Sequence, residues 1–308
     1  VERFSTAGAG RRIERVMLSA SSVKDSQIPG EFPEYNLELR DEFARVIGEF
    51  FEISTAEAAL RLDDEFRQPG AIVADAWRLA NPRTPDEITR FYQETDSYIY
   101  DLAADHCNLR REPVRDAIIN RIEARGPRQN VLLYGDGIGN DSITIARRGH
   151  QVTYFDLSGV TSAFARYRFE KECLDGEICM LSDEAEIPRG SFDAVVCIEV
   201  LEHVPEPPSV MRTLHDALRE GGIALITESF ESIGDKFPSH LPENFKYAGR
   251  THQLMEGLGF ANTYYNVNPI NRPMEFTKVA SDFSGSLLRF KCKMRRAVNS
   301  RLGQSRHG

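Results

Sequence analysis

No stretch of the 308-residue chain approaches eighteen consecutive apolar residues, so a conventional membrane-spanning helix is not expected. Val1 to Arg12 show no basic-then-apolar leader pattern, and the expectation is a cytoplasmic protein. Cysteine is scarce: Cys107, Cys173, Cys179, Cys197 and Cys292, with no C-x-x-C pair. An odd number of scattered thiols fits neither a disulfide framework nor a cysteine zinc site, and buried free thiols are expected, Cys179 and Cys197 inside core strands. Internal repeats and low-complexity tracts are missing too. What remains is ordinary globular material, 41% hydrophobic and 28% charged. The length suits two domains, or one large domain with an appendage.

Basic residues number 38 against 47 acidic ones, a formal charge of −9. From Gly285 to Gly308 there are seven basic residues (Arg289, Lys291, Lys293, Arg295, Arg296, Arg301, Arg306) and no acid; removing those seven from −9 leaves −16 for the rest. So acidic a body repels phosphate backbones, and no DNA partner is expected. Leu287, Leu288, Phe290, Met294 and Val298 punctuate the basic tail. That pattern suits an amphipathic helix lying on an anionic membrane or docking on a neighbouring subunit, with a solvated tail as the plain alternative.

Residues 1–30 read as a loosely ordered arm, 31–125 as a helical region, 126–280 as an α/β domain and 281–308 as the tail. Ser54-Thr55-Ala56-Glu57 and Thr84-Pro85-Asp86-Glu87 are helix-start patterns, and Ile88, Phe91, Tyr92, Thr95, Ile99 and Leu102 follow the second at helical spacing. Residues 57–66 could be half of a helix-turn-helix, but no basic recognition helix accompanies them. From Asn130, short apolar runs (Val131–Tyr134, Val152–Phe155, Ile178–Leu181, Ala194–Ile198, Ile223–Thr227) alternate with helical stretches at Ser142–Arg148, Thr161–Glu172 and Ser209–Arg219. Strands apolar on both faces and separated by helices predict a parallel sheet covered on two sides. Gly221-Gly222 is expected to end the last of these helices, Asn244–Leu258 to form a further helix, and Asn262–Val267 with Phe276–Val279 a closing hairpin.

Val131-Leu132-Leu133-Tyr134-Gly135-Asp136-Gly137-Ile138-Gly139 runs a strand into a glycine turn. The dinucleotide fingerprint G-x-G-x-x-G fails, since the third glycine would fall on Asn140 or Ser142, and no G-K-[ST] follows. G-x-G-x-G is what stands there. Asp156 ends the next strand, where a carboxylate can accept from both ribose hydroxyls. Ser182-Asp183, Ile187-Pro188 and Ser191-Phe192-Asp193 come next, then Cys197-Ile198-Glu199-Val200-Leu201-Glu202-His203. This ordered set, over Asn130 to Val279, resembles the class I S-adenosylmethionine (SAM)-dependent methyltransferases.

The resemblance implies a Rossmann-like, seven-stranded, mostly parallel sheet with helices on both faces, here carrying a helical N-terminal extension. It implies that Gly135, Gly137 and Gly139 back the methionine moiety, that Asp156 holds the ribose, and that Asp183 lies near the adenine amine. Asp136, Leu157, Glu184 and Glu199 complete the expected cofactor set. Many relatives carry an acid two positions before the first glycine; here Leu133 stands there, and either Asp136 supplies the negative charge instead or carbonyls hold the amino group. A sulfonium cation suits a pocket rimmed by Asp136, Asp156, Asp183 and Glu199.

Glu199, Glu202 and His203 share one face if their segment turns helically. Two carboxylates and an imidazole suit Mg²⁺, Mn²⁺ or Fe²⁺. The E-x-x-E-H spacing resembles the ubiquinone-pathway O-methyltransferases and the small-RNA terminal 2′-O-methyltransferases, the latter with a further downstream histidine. His240 is the first candidate for that role and His252 the second. The other reading makes the same segment a pocket wall, with His203, His240 or His106 as general base. Tyr92, Tyr98, Tyr100 and Trp77 are candidates for an aromatic acceptor pocket, in helices expected to act as a lid. The activity expected is O-methylation of a small molecule or glycan; methylation of an RNA 3′ end and a non-catalytic SAM-binding regulator are the alternatives.

Overall fold

The computed structural model describes residues 34–264, 273–280 and 285–294. The expected N-terminal arm, residues 265–267 of the closing hairpin and the tail beyond Met294 lie outside the described residues.

Among the described residues the strands are seven: β1 (Asn130–Tyr134), β2 (Gln151–Phe155), β3 (Ile178–Leu181), β4 (Phe192–Ile198), β5 (Leu218–Thr227), β6 (Phe260–Tyr264) and β7 (Met274–Lys278). They form one sheet in the order β3-β2-β1-β4-β5-β7-β6, in which β7 runs antiparallel to both its neighbours. This is the expected mostly parallel architecture. The order reverses between β1 and β4, which opens a crevice at their carboxyl ends.

Alternation along the strands divides the core. Val131, Leu133, Ala194 and Val196 face α6 (Glu112–Glu123), α7 (Asn140–Arg147) and α8 (Val160–Lys171) through Ile118, Ile143 and Phe169. Leu132, Val195, Cys197 and Ile226 face α9 (Pro207–Ala217) and α10 (Thr251–Gly257) through Met211, Leu214 and Met255. Asp193, from the Ser-Phe-Asp motif, accepts from the Asn130 amide at 2.7 Å and so ties the starts of β4 and β1 together, at the sheet edge opposite the crevice.

Among the described residues, five α-helices come before α6: α1 (Leu37–Phe51), α2 (Thr55–Arg67), α3 (Ala71–Ala80), α4 (Pro85–Glu94) and α5 (Ser97–His106). Ser54 accepts from the Glu57 amide, and Thr84 and Glu87 form a reciprocal capping box. Thr84→Ala should therefore lower stability by about 1 kcal/mol, measured by denaturant unfolding with an unchanged slope.

Four expectations on local structure are corrected. The apolar face from Ile88 to Leu102 belongs to two helices, because Thr95 leaves the helical region (ψ 138°) before α5 starts. Residues 244–258 are not one helix: a 3₁₀ turn over Pro242–Tyr247 gives way at Gly249 (φ +65°) to α10. Helix α9 stops at Ala217, and Gly221-Gly222 lies within β5 beside a register shift against β4. Cys179 is exposed on the edge strand, whereas Cys197 is buried as expected. Residues 285–294 are helical, with Leu287, Phe290 and Met294 exposed and Cys292 buried. Among the described residues no helix is long and apolar enough to cross a membrane.

Candidate functional site

A cavity of about 760 Å³ occupies the crevice, within the range of small-molecule sites. The carboxyl ends of β1, β2 and β4 form its floor. Residues of α4 and α5 and the loop after β5 close it.

Gly135 and Gly137 line one end. Gly137 has φ +55°, a left-handed conformation that favours glycine, and a Cβ there would displace the Leu102 methyl of α5. Asp156 Oδ2 accepts from the Gly137 amide and Oδ1 from the Leu157 amide, both at 2.7 Å. Burial pushes its pKa up to about 6 against these two bonds. Each oxygen keeps a second lone-pair direction for a ligand hydroxyl. Leu157, Asp183 and Glu184 line the same end. Asp183 caps its own turn through the Ala185 amide, and Glu184 accepts from the Tyr134 hydroxyl at 2.8 Å.

Three expected site residues point elsewhere. Asp136 does not line the cavity; its carboxylate accepts from the Asp141 and Ser142 amides and so caps α7. Burial, then the neighbouring Asp141, push it up to about 8, and it is no substitute for a carboxylate in the methionine pocket. Gly139 ends the turn beneath α7, where a Cβ would meet the Phe169 ring. His106 is held off the cavity by Asn140 Nδ2 at 3.2 Å and Arg115 Nη1 at 3.4 Å, and burial with Arg115 holds its pKa well below the usual value. It makes a poor base.

At the other end stand Glu199, Glu202, His203 and His240. Glu199 adopts φ +52°, unusual for a side-chain-bearing residue and a mark of a constrained turn. Its carboxylate accepts from the Ser229 hydroxyl. Burial opposes its ionisation, yet the Ser229 and Thr227 bonds and the nearby Arg111 hold its pKa below the usual range. Glu202 is the opposite case. It is fully buried, burial followed by the Glu199 charge drives its pKa well up, and the proton it retains is shared in a hydrogen bond with the Glu199 carboxylate.

Glu202, His203 and His240 each offer a ligand atom within 4.8 Å of the others'. Glu199, hydrogen-bonded to Glu202, and His252 are not in that group. Burial, then His240, lowers the His203 pKa to about 3, and burial lowers that of His240; both rings are neutral. The carbonyls of Ser232 and Ser229 hold the His240 ring while Nδ1 has no partner, which assigns its proton to Nε2 and leaves Nδ1 bare. A fully buried carboxyl beside a bare imidazole nitrogen is a donor set suited to a cation. The residues present fit a divalent ion.

Some contributors carried no sequence signal. Arg111, paired with Asp105 at 2.9 Å, lines the cavity and is the cation nearest in effect to Glu199. The amide of Asn244 donates to the carbonyls of Glu202 at 3.1 Å and Val204 at 2.9 Å, clamping the turn that carries Glu202 and His203. Of the four aromatic candidates, Tyr92 and Tyr98 line the cavity; Trp77 packs behind, on Phe91, and Tyr100 is buried in the helical core.

Fold and crevice define a nucleotide-binding α/β class. A methyltransferase domain family matches residues 108–270, more than half of the chain, and the protein belongs to that family. It is similar to the ubiquinone biosynthesis O-methyltransferase of Xanthomonas oryzae pv. oryzae (strain PXO99A), 39% identical over 113 residues, 36% of this chain and 46% of that protein. The enzyme of the same name from Xanthomonas campestris pv. campestris (strain B100) is 37% identical over 118 residues, 37% of this chain and 48% of that protein. The chain thus spans about half the length of the curated relatives it matches. Among solved structures it is similar to Haemonchus contortus phosphoethanolamine N-methyltransferase 2 in complex with SAM, with a TM-score of 0.42 and 21% identity, covering 62% of this chain and 44% of that one.

Proposed function

We propose that the protein is a SAM-dependent O-methyltransferase acting on a hydroxyl of a compact acceptor, with a divalent ion at Glu202, His203 and His240. One observation carries the reading: a single cavity joins the Gly137–Asp156 crevice to a buried carboxyl and two imidazoles whose ligand atoms lie within 4.8 Å of one another. Asp156 would take the ribose hydroxyls, Leu157 and Asp183 the adenine edge, and Arg111 the carboxylate of the methionine moiety. The acidic wall suits the sulfonium charge.

Transfer moves a methyl group in line from sulfur to the acceptor oxygen: the C–S bond breaks with its electron pair left on sulfur as a neutral thioether, the C–O bond forms, and the hydroxyl proton passes to solvent or to a neighbouring base. The chain contributes alignment and exclusion of water, with α4 and α5 as the cover. An ion held by one carboxylate and two imidazoles would supply Lewis acidity that lowers the acceptor hydroxyl pKa. Two nitrogen donors favour Mn²⁺ or Fe²⁺ over Mg²⁺. The bare Nδ1 of His240 supports a second reading, in which that nitrogen takes the proton directly.

Calorimetry with SAM and its demethylated product, together with transfer of labelled methyl to small phenols and vicinal diols with Mn²⁺ or with chelator, tests both. Binding together with chelator-sensitive transfer is the expected result. Full activity in chelator selects the His240 base, and absence of heat with either nucleoside overturns the whole reading.

A further inference from the structure

The Tyr92 hydroxyl lies 2.9 Å from Nδ1 of His203, across 111 residues of sequence. Tyr98 donates to that same hydroxyl at 3.2 Å, and the two tyrosine rings stack with centroids 5.1 Å apart. Both stand edge-on to the imidazole, at 6.0 and 6.3 Å. The Ser239 carbonyl, 3.2 Å from Nδ1, completes the surroundings of that nitrogen. A carbonyl oxygen can only accept, so the ring proton belongs on Nδ1, where it is shared with the Tyr92 oxygen. Nε2 then keeps its lone pair.

We propose that Tyr92, braced by Tyr98, is a positioning residue that holds His203 in the Nδ1-protonated tautomer and so presents Nε2 to Glu202 and His240. The inference rests on the reading of those three residues as a divalent-ion site. Metal-binding histidines generally donate their second ring N–H to a fixed acceptor, which sets both tautomer and ring angle. Here the acceptors come from two places far apart in sequence, α4 and the loop after β5. The helical region is on this account a working part of the site: without α4, His203 would keep one weak acceptor and its ring would be free to turn.

The test compares wild type, Tyr92→Phe, Tyr98→Phe and, as control, Tyr100→Phe, whose hydroxyl bonds Arg61 away from the cavity. The readouts are ¹⁵N shifts of His203 in metal-free protein, Mn²⁺ affinity and SAM affinity. In Tyr92→Phe, His203 should shift toward a mixture of tautomers and Mn²⁺ affinity should fall about 10–100-fold. SAM affinity should stay within about twofold, because the cofactor crevice is untouched. The control should match wild type throughout. An unchanged tautomer and unchanged Mn²⁺ affinity in Tyr92→Phe overturn the proposal. If wild type takes up no Mn²⁺, the divalent-ion reading fails, and the ¹⁵N comparison alone still decides whether Tyr92 positions the ring. Should Tyr92→Phe not fold, Tyr98→Phe decides: a smaller shift in the same direction supports the proposal and none overturns it.

Discussion

Asp156→Ala is expected to weaken SAM binding by about 100-fold or more, with the fold retained. A carboxylate accepting from two ribose hydroxyls makes two charge-assisted bonds, each contributing about 1.5–3 kcal/mol, and about 1.4 kcal/mol corresponds to a factor of ten. The same side chain accepts from the Gly137 and Leu157 amides, so its removal also loosens the glycine turn. Asp156→Asn gives up the charge and turns its NH₂ group on the Gly137 or Leu157 N–H, so it should weaken binding too. The carboxyl pKa near 6 adds a pH signature. As pH falls through that value the group becomes protonated, acceptor capacity is lost, and SAM affinity should decline in wild type but not in Asp156→Ala. Calorimetric titrations at pH 5, 6 and 8 measure both effects; a loss under about fivefold at pH 8 would remove Asp156 from the cofactor site.

Glu202→Leu is expected to separate function from stability. Mn²⁺ affinity should fall by more than about 100-fold, since even an outer contact to a metal ligand is worth about 10–100-fold. SAM affinity should not change. The metal-free fold, however, should become more stable by about 1–3 kcal/mol at pH 8, because a fully buried acid lying against the Glu199 carboxylate is replaced by packed carbon. The sign in pH follows from the raised pKa. The folded carboxyl holds its proton more tightly than the unfolded one, so its contribution favours the fold at low pH. That contribution drains away as pH rises from about 4.5, the unfolded value, toward the raised folded one. Wild type without metal should therefore lose stability over that interval, and Glu202→Leu should not. Denaturant unfolding in chelator at pH 4 to 8 measures it. Destabilisation by leucine across the whole range would mean that Glu202 serves the fold, and would take the ion site with it.

Much of the site was readable in the chain itself. The G-x-G-x-G turn after an apolar run, the acid closing the next run and the E-x-x-E-H segment all sit at carboxyl ends of strands, and alternation of short apolar runs with helical stretches is enough to put those ends on one edge. What could not be read was the partner of each polar group. Asp136 looked like a ligand and turned out to cap α7, because an acid beside a helix start has its own amides to serve. His106 and His240 are equally plausible as isolated letters. One is hemmed in by Arg115 and Asn140; the other keeps a bare nitrogen. Tyr92 and Asn244 carry no motif at all.

Periodicity, caps and strand-end motifs determined the sheet, its helices and where a nucleotide-like ligand would enter, since these depend on steric preferences within a few residues of each position. Only the tertiary structure decided that His240 comes within 4.8 Å of Glu202 and His203, that His106 is shut away behind Asn140 and Arg115, and that Tyr92 reaches His203. Those outcomes depend on which distant segments exclude water from a given side chain, and desolvation is a property of the packed assembly, invisible in any local run of residues.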